Sequence, residues 1–447
     1  MSAERSARSV SHAEGVDKVR VLQRVLYRAA KQDPARRFHA VYHHVARSDI
    51  LWRAWSDVRA NQGAPGVDGL SIDAVEDSGV VIFLDELAGA LRAGTYRPAP
   101  LRRVRIPKAG RPGKTRPLGI PCLRDRVAMA AAKLVLEAIF ESDFLPCSFG
   151  FRPKRSAHMA LDAIRVEANA GANWVLDADV SDCFGSIDHD ALMALVARRV
   201  SDRKMLKLLR AWLRVGVLED GALTGTVSGT PQGSPISPLL ANIALHVLDE
   251  EWTKAGRGLG VLIRYADDFV VLSTSRPRAV EAQRRVRAIL ARLGLQLNPD
   301  KTRIVHLGRG AEGFDFLGFH LRKVESWRWP GHWYLQRWPS QRAMSSIRGK
   351  VRDATDRRHV GYSMEVAVGR LNPVLRGWST YFRNGNSSRK FTTIDSYVHQ
   401  RLARLASMKH GRSHIGWASH YNLEWLQALG VYRLTGTIRW GSAHAAR

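Results

Sequence analysis

The feature that most constrains the fold of this chain is an acidic turn set between two apolar segments. Residues 262–264 and 269–272 are rich in β-branched and aromatic side chains, and Tyr265-Ala266-Asp267-Asp268 lies between them. This pattern predicts two antiparallel strands joined by a turn of about two residues. Good hairpin turns use Asn-Gly or Gly-Gly because the backbone needs a positive φ, a demand that Ala-Asp meets poorly. A local rule broken between two strong strands is expected at a functional site.

A second acidic segment lies upstream of this turn. Side chains of a strand alternate between two faces, so Leu176, Ala178 and Val180 are predicted to share one face. Asp177 and Asp179 then occupy the opposite face, which gives a strand with one packed side and one acidic side. Taken alone, an adjacent Asp-Asp pair is usually a solvated acidic turn, and the upstream strand is what changes that interpretation.

Three carboxylates, those of Asp179, Asp267 and Asp268, would converge if the acidic strand lies beside the acidic turn in one antiparallel sheet. Adjacent carboxylates in a partly buried site repel each other unless a cation neutralises them, and hard divalent ions prefer oxygen ligands. Such a set can hold two Mg²⁺ ions about 3.5–4 Å apart, which activates a 3′ hydroxyl and stabilises a leaving pyrophosphate. These residues therefore predict nucleotidyl transfer.

Charge separates this chain from an ordinary globular protein. Its 447 residues include 69 Lys and Arg against 41 Asp and Glu, a formal charge of +28 beside a hydrophobic share of 45%. That balance is typical of a protein that works on nucleic acid. No apolar run reaches the roughly 18 residues of a membrane-spanning helix, and the N-terminus lacks the apolar core of a secretory signal. Three cysteines without a CxxC pair favour a reducing compartment and argue against a disulfide framework or zinc ribbon.

Basic residues cluster in two places. Residues 102–108 and 114–121 predict two strands joined by a loop, and their cations suit a triphosphate or a nucleic-acid backbone. A solvated basic hairpin explains this pattern equally well. Between residues 341 and 412, fifteen Lys and Arg stand against four acids while apolar residues keep helical spacing, which predicts a basic helical module.

Four other segments carry predictions about local structure. Residues 127–140 are apolar on nearly every face, which predicts a buried helix. Residues 190–215 are predicted to be one helical segment, and residues 314–319 one further strand. The aromatic, glycine and arginine residues at 148–153 suit stacking on bases and binding of phosphate by Arg152, although a packed loop would use the same residues.

Seven short motifs occur in a defined order along the chain. They are Arg116-Pro117-Leu118-Gly119-Ile120-Pro121, Gly150-Phe151-Arg152-Pro153, residues 179–184, Pro231-Gln232-Gly233-Ser234-Pro235, Tyr265-Ala266-Asp267-Asp268, Asn298-Pro299-Asp300-Lys301-Thr302 and Phe316-Leu317-Gly318-Phe319. Each motif is weak alone, but the ordered set resembles the bacterial group II intron reverse transcriptases. The resemblance runs from about residue 22 to about residue 410.

The resemblance implies an α+β right-hand polymerase fold with an antiparallel palm sheet and a helical thumb. The implied domains are an N-terminal helical extension (1–60), fingers (61–151), a palm with the catalytic centre (152–337), a thumb and maturase-specific domain (338–412) and a short basic tail (413–447). It further implies that Asp179, Asp267 and Asp268 bind two Mg²⁺ ions.

The resemblance also implies roles for residues around the nucleotide. Phe184 falls where the family excludes a ribose 2′ hydroxyl, and Gln232 where it contacts the pair of template base and nucleotide. Lys114 and Arg116 would approach the triphosphate. These four residues would together bind the incoming dNTP.

Residues 371–382 are similar to the family's maturase-specific module, which binds intron RNA and helps it fold for splicing. The resemblance implies that Arg376, Trp378, Arg383 and Lys390 bind nucleic acid, although without it Trp378 is more typical of a core residue. The implied partners are group II intron RNA, a DNA target, a primer with its template, and dNTPs, in the bacterial cytoplasm at the nucleoid.

The chain departs from many relatives because no cysteine follows Cys183, so the paired CxxC motifs of an endonuclease domain are missing. We expect such a protein not to cut the second DNA strand and to use other primers, such as nascent strands at replication forks. Two alternatives remain: a splicing cofactor with little polymerase activity, and a polymerase of defence or repair without an intron. The intact carboxylates argue against the first and the maturase-like segment against the second.

Overall fold

The computed structural model describes residues 17–107, 113, 115–219, 222–224, 229, 233–308, 310–410 and 420–439. The helices are α1 (Lys18–Gln32), α2 (Tyr42–Val45), α3 (Ser48–Ala60), α4 (Ile72–Ser78), α5 (Val80–Ala93), α6 (Leu123–Phe140), α7 (Ala157–Asn169), α8 (Cys183–Ser186), α9 (His189–Ala197), α10 (Arg203–Arg214), α11 (Ser237–Ala255), α12 (Arg276–Ala291), α13 (Gln341–Ala354), a 3-10 turn (Arg357–His359), α14 (Met364–Phe382), α15 (Ser388–Lys409) and α16 (Leu423–Ala428). The strands are β1 (Leu101–Pro107), β2 (Thr115–Ile120), β3 (Trp174–Asp179), β4 (Val217–Glu219), β5 (Ala222–Thr224), β6 (Val261–Tyr265), β7 (Asp268–Ser273), β8 (Arg303–His306), β9 (Phe314–Phe316), β10 (Phe319–Glu325) and β11 (Trp333–Pro339). The chain therefore has a mixed α+β fold.

An antiparallel sheet of order β6-β7-β3-β8, here called the central sheet, organises the middle of the chain. Leu176 and Ala178 of β3 enter one hydrophobic core, whereas Val175 enters a second core on the opposite face. The same alternation places Val271 of β7 in the first core and Val270 in the second. The predicted period of two is thus confirmed, and burial of apolar side chains on both faces stabilises the sheet.

Helix α6 is the buried helix predicted at residues 127–140. It contacts α1, α3 and α11, so nearly every face of it is covered. Its buried carboxylate, that of Asp125, accepts hydrogen bonds from Tyr96 Oη at 2.5 Å and from the Ala99 N–H at 3.0 Å. A polar group is tolerated in this interior because both of its carboxylate oxygens have partners.

Residues 190–215 form two helices rather than the single segment predicted. The break occurs at Asp202, whose carboxylate caps α10 through two backbone N–H groups. Its second oxygen accepts hydrogen bonds from the N–H groups of Val41 and Tyr42, each at 2.8 Å. The prediction was wrong because this cap is fixed by a segment about 160 residues away.

Residues 314–319 were predicted to form one strand, and this prediction was wrong. They form the adjoining parts of two strands, β9 and β10. A turn at Leu317-Gly318 separates them, with φ of +49° and +78°. Glycine adopts this left-handed backbone readily, so Gly318 was a signal for the turn that the prediction did not use. With β11, these strands form a second antiparallel sheet of order β11-β10-β9.

The basic hairpin predicted near residue 105 is confirmed as an antiparallel pair of β1 and β2, with Ile106 opposite Arg116. β1 also pairs in parallel with β4, which extends the sheet to the order β2-β1-β4-β5. Lys114 lies outside the described residues. The hairpin is therefore anchored to the rest of the protein through its pairing with β4.

The basic segment at residues 341–412 is helical, as predicted, and contains α13, α14 and α15. Leu371, Ile394 and Leu402 are buried in the second core together with Leu426 of α16, which lies in the part of the 413–447 tail that is described. None of the described helices combines the length and the hydropathy that a membrane-spanning segment requires.

Candidate active site

The acidic turn is a hairpin loop of two residues, as predicted. Tyr265 of β6 pairs with Asp268 of β7, which leaves Ala266 and Asp267 at the turn. Ala266 has a φ of +57°, in the left-handed region that residues with a Cβ seldom adopt. Neighbouring structure must hold the turn in this conformation, and backbone strain of this kind concentrates at functional sites.

Strand β3 brings the third aspartate to the turn. Asp179 lies directly opposite Asp268 in the pairing of β3 with β7, so the three residues meet at one end of the central sheet. Desolvation, the charge of Asp267 and a hydrogen bond with Asp179 raise the pKa of Asp268 to about 7. Desolvation and the charge of Asp179 also raise the pKa of Asp267, against the opposing effect of Arg116. A bound cation would relieve this concentration of negative charge.

Lys301 contributes a cation to this site, a role that sequence reasoning missed. Its Nζ donates to Asp179 Oδ2 at 2.6 Å, while the Asn298 N–H donates to the Asp179 carbonyl at 2.8 Å. In this arrangement, the described part of the chain contains no cluster of three or more His, Cys, Asp and Glu side chains that could hold a metal ion. The ammonium occupies Asp179 Oδ2, so a metal ion that used this oxygen would have to replace it.

The donor set nevertheless suits hard divalent ions. The three aspartates offer only carboxylate oxygens, which Mg²⁺ prefers. The nearby thiol of Cys183 has its pKa raised to about 12 by burial and by the charge of Asp267. It therefore stays protonated at neutral pH and does not present the thiolate that softer metals select.

A buried polar network holds the turn from behind, and sequence reasoning missed this network as well. Arg264 and Asp249 are both fully buried and form a bidentate pair, with N–O distances of 2.8 and 2.5 Å. Arg264 Nη1 also donates to the Ala266 carbonyl and to Asn242 Oδ1, each at 3.0 Å. Burial opposes charge on Asp249, but Arg264 keeps its pKa below the usual value. The signal was a charged residue inside an apolar strand, which requires a buried partner.

The backbone of Gly150 packs against the same turn. The Asn242 side-chain amide donates to the Gly150 carbonyl at 2.8 Å. A Cβ added to Gly150 would collide with the backbone nitrogen of Ala266, so only glycine permits this approach. The loop at residues 148–153 therefore packs against the active-site turn.

Arg152 does not lie at a nucleic-acid surface, so the prediction that it binds phosphate was wrong. Its side chain is buried and forms an ion pair with Glu141 at 2.7 Å. The remaining guanidinium N–H groups donate to the carbonyls of Phe144, Leu145 and Ser148. With its donors satisfied inside the protein, Arg152 stabilises the loop rather than binding phosphate.

Phe184 lies half-buried in the short helix α8, five residues after Asp179. A Cβ on Gly229 would approach the Phe184 carbonyl to 2.8 Å, and one on Gly233 would lie 2.8 Å from the Gly119 carbonyl. Gln232 lies outside the described residues, as does Lys114. Gly229 therefore packs against α8, and Gly233 packs against β2.

The four residues expected to bind nucleic acid in the C-terminal helices differ in exposure. Arg376 is exposed, with its guanidinium 5.4 Å from the ring centroid of Tyr432, while Arg383 and Lys390 are half-buried. The half-buried Trp378 packs on Phe382 and Phe391. Trp378 thus contributes to the core, as its sequence context alone suggested.

Two family models match this chain. Residues 106–321 match the model described as reverse transcriptase (RNA-dependent DNA polymerase), and residues 344–425 match that described as group II intron, maturase-specific domain. Over 343 residues the chain is 35% identical to Protein YkfC of Escherichia coli strain K12, covering 88% of that protein and 68% of this chain. The chain belongs to the group II intron reverse transcriptases. This reverse transcriptase is an RNA-directed DNA polymerase joined to a maturase-specific domain.

Other relatives of the reverse transcriptase are named after introns. Group II intron-encoded protein LtrA of Lactococcus lactis subsp. cremoris is 40% identical over 213 residues, which is 48% of this chain and 35% of LtrA. An uncharacterized 91 kDa protein in cob intron of Schizosaccharomyces pombe is 28% identical over 427 residues, which is 78% of this chain and 51% of that protein. The reverse transcriptase therefore spans about a third to a half of these two longer relatives.

Proposed function

We propose that this reverse transcriptase extends a DNA primer by nucleotidyl transfer at two Mg²⁺ ions held by Asp179, Asp267 and Asp268. The observation that supports this most strongly is the register of β3 and β7, which places Asp179 opposite Asp268 beside the strained turn. When bound, the ions would lower the pKa of the primer 3′ hydroxyl and stabilise the charge on the departing pyrophosphate.

The same proposal assigns the parts of a right hand to the fold. The central sheet would lie in the palm at residues 152–337, the basic hairpin in the fingers at 61–151, and α13 to α15 in the thumb at 338–412. The N-terminal extension at 1–60 would then be the part of the chain that contains α1 to α3. In this assignment the three aspartates face the cleft between fingers and thumb.

Residues around the cleft would bind the incoming nucleotide. The charge of Arg116 acts to lower the pKa of Asp267, and its guanidinium would help neutralise the triphosphate. Lys114 and Gln232 are proposed on the family resemblance, Lys114 for the triphosphate and Gln232 for the pair of template base and nucleotide. Phe184 would lie under the sugar and exclude the 2′ hydroxyl.

Replacing Phe184 with alanine is expected to lower the preference for dNTPs over rNTPs about 10- to 100-fold, because the space for a 2′ hydroxyl would open. The measurement is kcat/KM for each nucleotide in primer extension. Phe184→Tyr should keep the preference for dNTPs. Phe83 is also half-buried but lies on α5, so Phe83→Ala should leave the preference unchanged. An unaltered ratio in Phe184→Ala would remove this residue from sugar selection.

We further propose that the C-terminal helices bind group II intron RNA and promote its splicing and retrohoming. The support is the matched maturase-specific domain together with exposed cations on α14 and α15, among them Arg376 and Arg389. Guanidinium groups pair with phosphate through parallel hydrogen bonds. The buried apolar residues of the same helices hold these cations on a stable surface.

Affinity for intron RNA is expected to fall steeply with salt, because each neutralised phosphate contributes about 0.7–0.9 to the slope of log K against log salt. Arg376→Gln with Arg389→Gln should reduce that slope by about 1.5 in filter binding. Arg284→Gln, at an exposed arginine of α12 paired with Glu281, is the matched control and should leave the slope unchanged. A flat titration of the unmodified protein would contradict electrostatic binding of RNA.

A further inference from the structure

The tip of the β10–β11 hairpin carries two tryptophans that the proposed polymerase and maturase roles do not use. Trp327 is 82% exposed and Trp329 is 64% exposed, the two highest values among the large hydrophobic side chains of the described residues. The indole ring is largely apolar, so its exposure to water is unfavourable in free energy. A pair of exposed indoles on one turn therefore indicates a binding surface.

Hydrogen bonds hold the turn in one conformation. The buried Ser326 Oγ accepts the N–H groups of Arg328 and Trp329 at 3.3 and 3.2 Å, and the Ser326 N–H donates to the His332 carbonyl at 2.8 Å. Glu325 Oε1 accepts the Gly331 N–H at 2.6 Å. The indoles are thus presented to solvent by an ordered turn, so a ligand would bind them at a low entropic cost.

The charge beside the indoles indicates the kind of ligand. The guanidinium of the exposed Arg328 lies 4.8 Å from the ring centroid of Trp327. An apolar protein surface that covered the indoles would also bury this guanidinium without a counter-charge, which is unfavourable. A nucleic acid instead offers bases that stack on indole and phosphates that pair with guanidinium.

The position of the turn separates it from the proposed catalytic site. β10 begins at Phe319, next to the Leu317 carbonyl that accepts a hydrogen bond from Tyr381 Oη, and ends at Glu325. Near the Glu325 end of β10, Lys323 Nζ donates a hydrogen bond to the side chain of Asn173. Asn173 directly precedes the first residue of β3, and Asp179 is the last residue of β3. The six residues of β3, at roughly 3.3 Å each, separate Asn173 from Asp179 by about 20 Å, so the Lys323 end of β10 lies at the opposite end of β3 from the aspartates.

We propose that Trp327, Arg328 and Trp329 form a stacking site for the unpaired bases of a nucleic-acid strand. The bases would stack on the two indoles, and Arg328 would bind the adjoining phosphate. Double-stranded nucleic acid keeps its bases stacked on one another, so the site selects single strands or loops. Such a site lies outside the nucleotide-binding cleft and would engage a different segment of RNA or DNA from the one being copied.

The test uses the full-length protein with its cleft saturated by a primer–template whose primer is blocked at the 3′ end. Binding of a second, fluorescently labelled 12-mer of rU, of dT or of duplex is followed by anisotropy. Trp327→Ala with Trp329→Ala should weaken single-strand binding about 10- to 100-fold, as expected for the loss of two stacked bases. The rU and dT arms then show whether the site prefers RNA or DNA.

Two control variants distinguish base stacking from a general loss of aromatic surface. Trp327→Phe with Trp329→Phe retains two aromatic faces and should stay within about threefold of the unmodified protein. Trp52→Ala, at an exposed tryptophan of α3, should leave the affinity unchanged. Because the side chains are exposed, the alanine pair should melt at the unmodified temperature, so weaker binding would not reflect unfolding.

Three binding results would overturn the proposal. They are unchanged single-strand affinity in the alanine pair, equal losses in the alanine and phenylalanine pairs, and equal losses for single-stranded and duplex probes. A change of oligomeric state in the alanine pair, measured by light scattering without nucleic acid, would assign the surface to a second copy of this chain and would also overturn it.

Discussion

Replacing both Asp267 and Asp268 with alanine is expected to reduce primer extension by at least about 1,000-fold, while affinity for intron RNA changes little. The variant removes two of the three carboxylates proposed to hold the Mg²⁺ ions, which supply most of the stabilisation of developing charge in this chemistry. The measurement is single-turnover extension on a poly(rA) template over a range of Mg²⁺ concentrations. RNA affinity should persist because the exposed cations of α14 and α15 are untouched.

The matched control for this experiment is an adjacent acidic pair outside the site. Asp85 and Glu86 are both exposed on α5, and their double alanine variant should extend primers at the unmodified rate. If the Asp267 and Asp268 variant still extended a primer on poly(rA), the proposed metal ligands would be wrong. If it lost RNA affinity as well, the loss of extension would reflect a general loss of structure.

Replacing Asp249 with alanine is expected to cost about 3–5 kcal/mol of stability, because it leaves the fully buried guanidinium of Arg264 without a counter-charge. The loss should be visible as a lower melting temperature by differential scanning fluorimetry. Glu281→Ala breaks an ion pair at the surface of α12 and should leave the melting temperature unchanged. A melting temperature that does not move in Asp249→Ala would contradict the internal ion pair.

A double variant distinguishes packing from positioning in the same network. Replacing a buried ion pair with apolar residues of similar volume is often close to neutral for stability, so Arg264→Met with Asp249→Leu should recover much of the melting temperature. It cannot restore the hydrogen bond from Arg264 Nη1 to the Ala266 carbonyl. We therefore expect kcat to remain low with little change in KM, since Arg264 is a positioning residue for the turn. Full recovery of kcat would show that Arg264 only supports the fold.

Much of the site could be predicted because its signals are local. Period-two alternation in β3 assigned Asp179 to the acidic face, and the apolar segments around residues 265–268 predicted the hairpin. The misfit of Ala266 to a hairpin turn also marked the place where the structure has positive φ. Each inference needed only a few consecutive residues, since strand geometry repeats within the strand itself.

Other parts could not be predicted because they depend on contacts between distant segments. Lys301 pairs with an aspartate 122 positions earlier, and nothing in its own motif specifies that partner. The break at Asp202 likewise depends on the N–H groups of Val41 and Tyr42. Such partners are chosen only when the chain folds.

The sequence by itself determined the mixed fold, the buried helix, the acidic turn and the resemblance to group II intron reverse transcriptases. It could not decide which cations face solvent and which are internal. Arg152 was expected to bind nucleic acid and instead supports a loop, whereas Arg264 drew no expectation and holds the turn. An arginine has the same chemistry in either place, and only the tertiary structure decides whether its guanidinium faces water, a phosphate or a buried carboxylate.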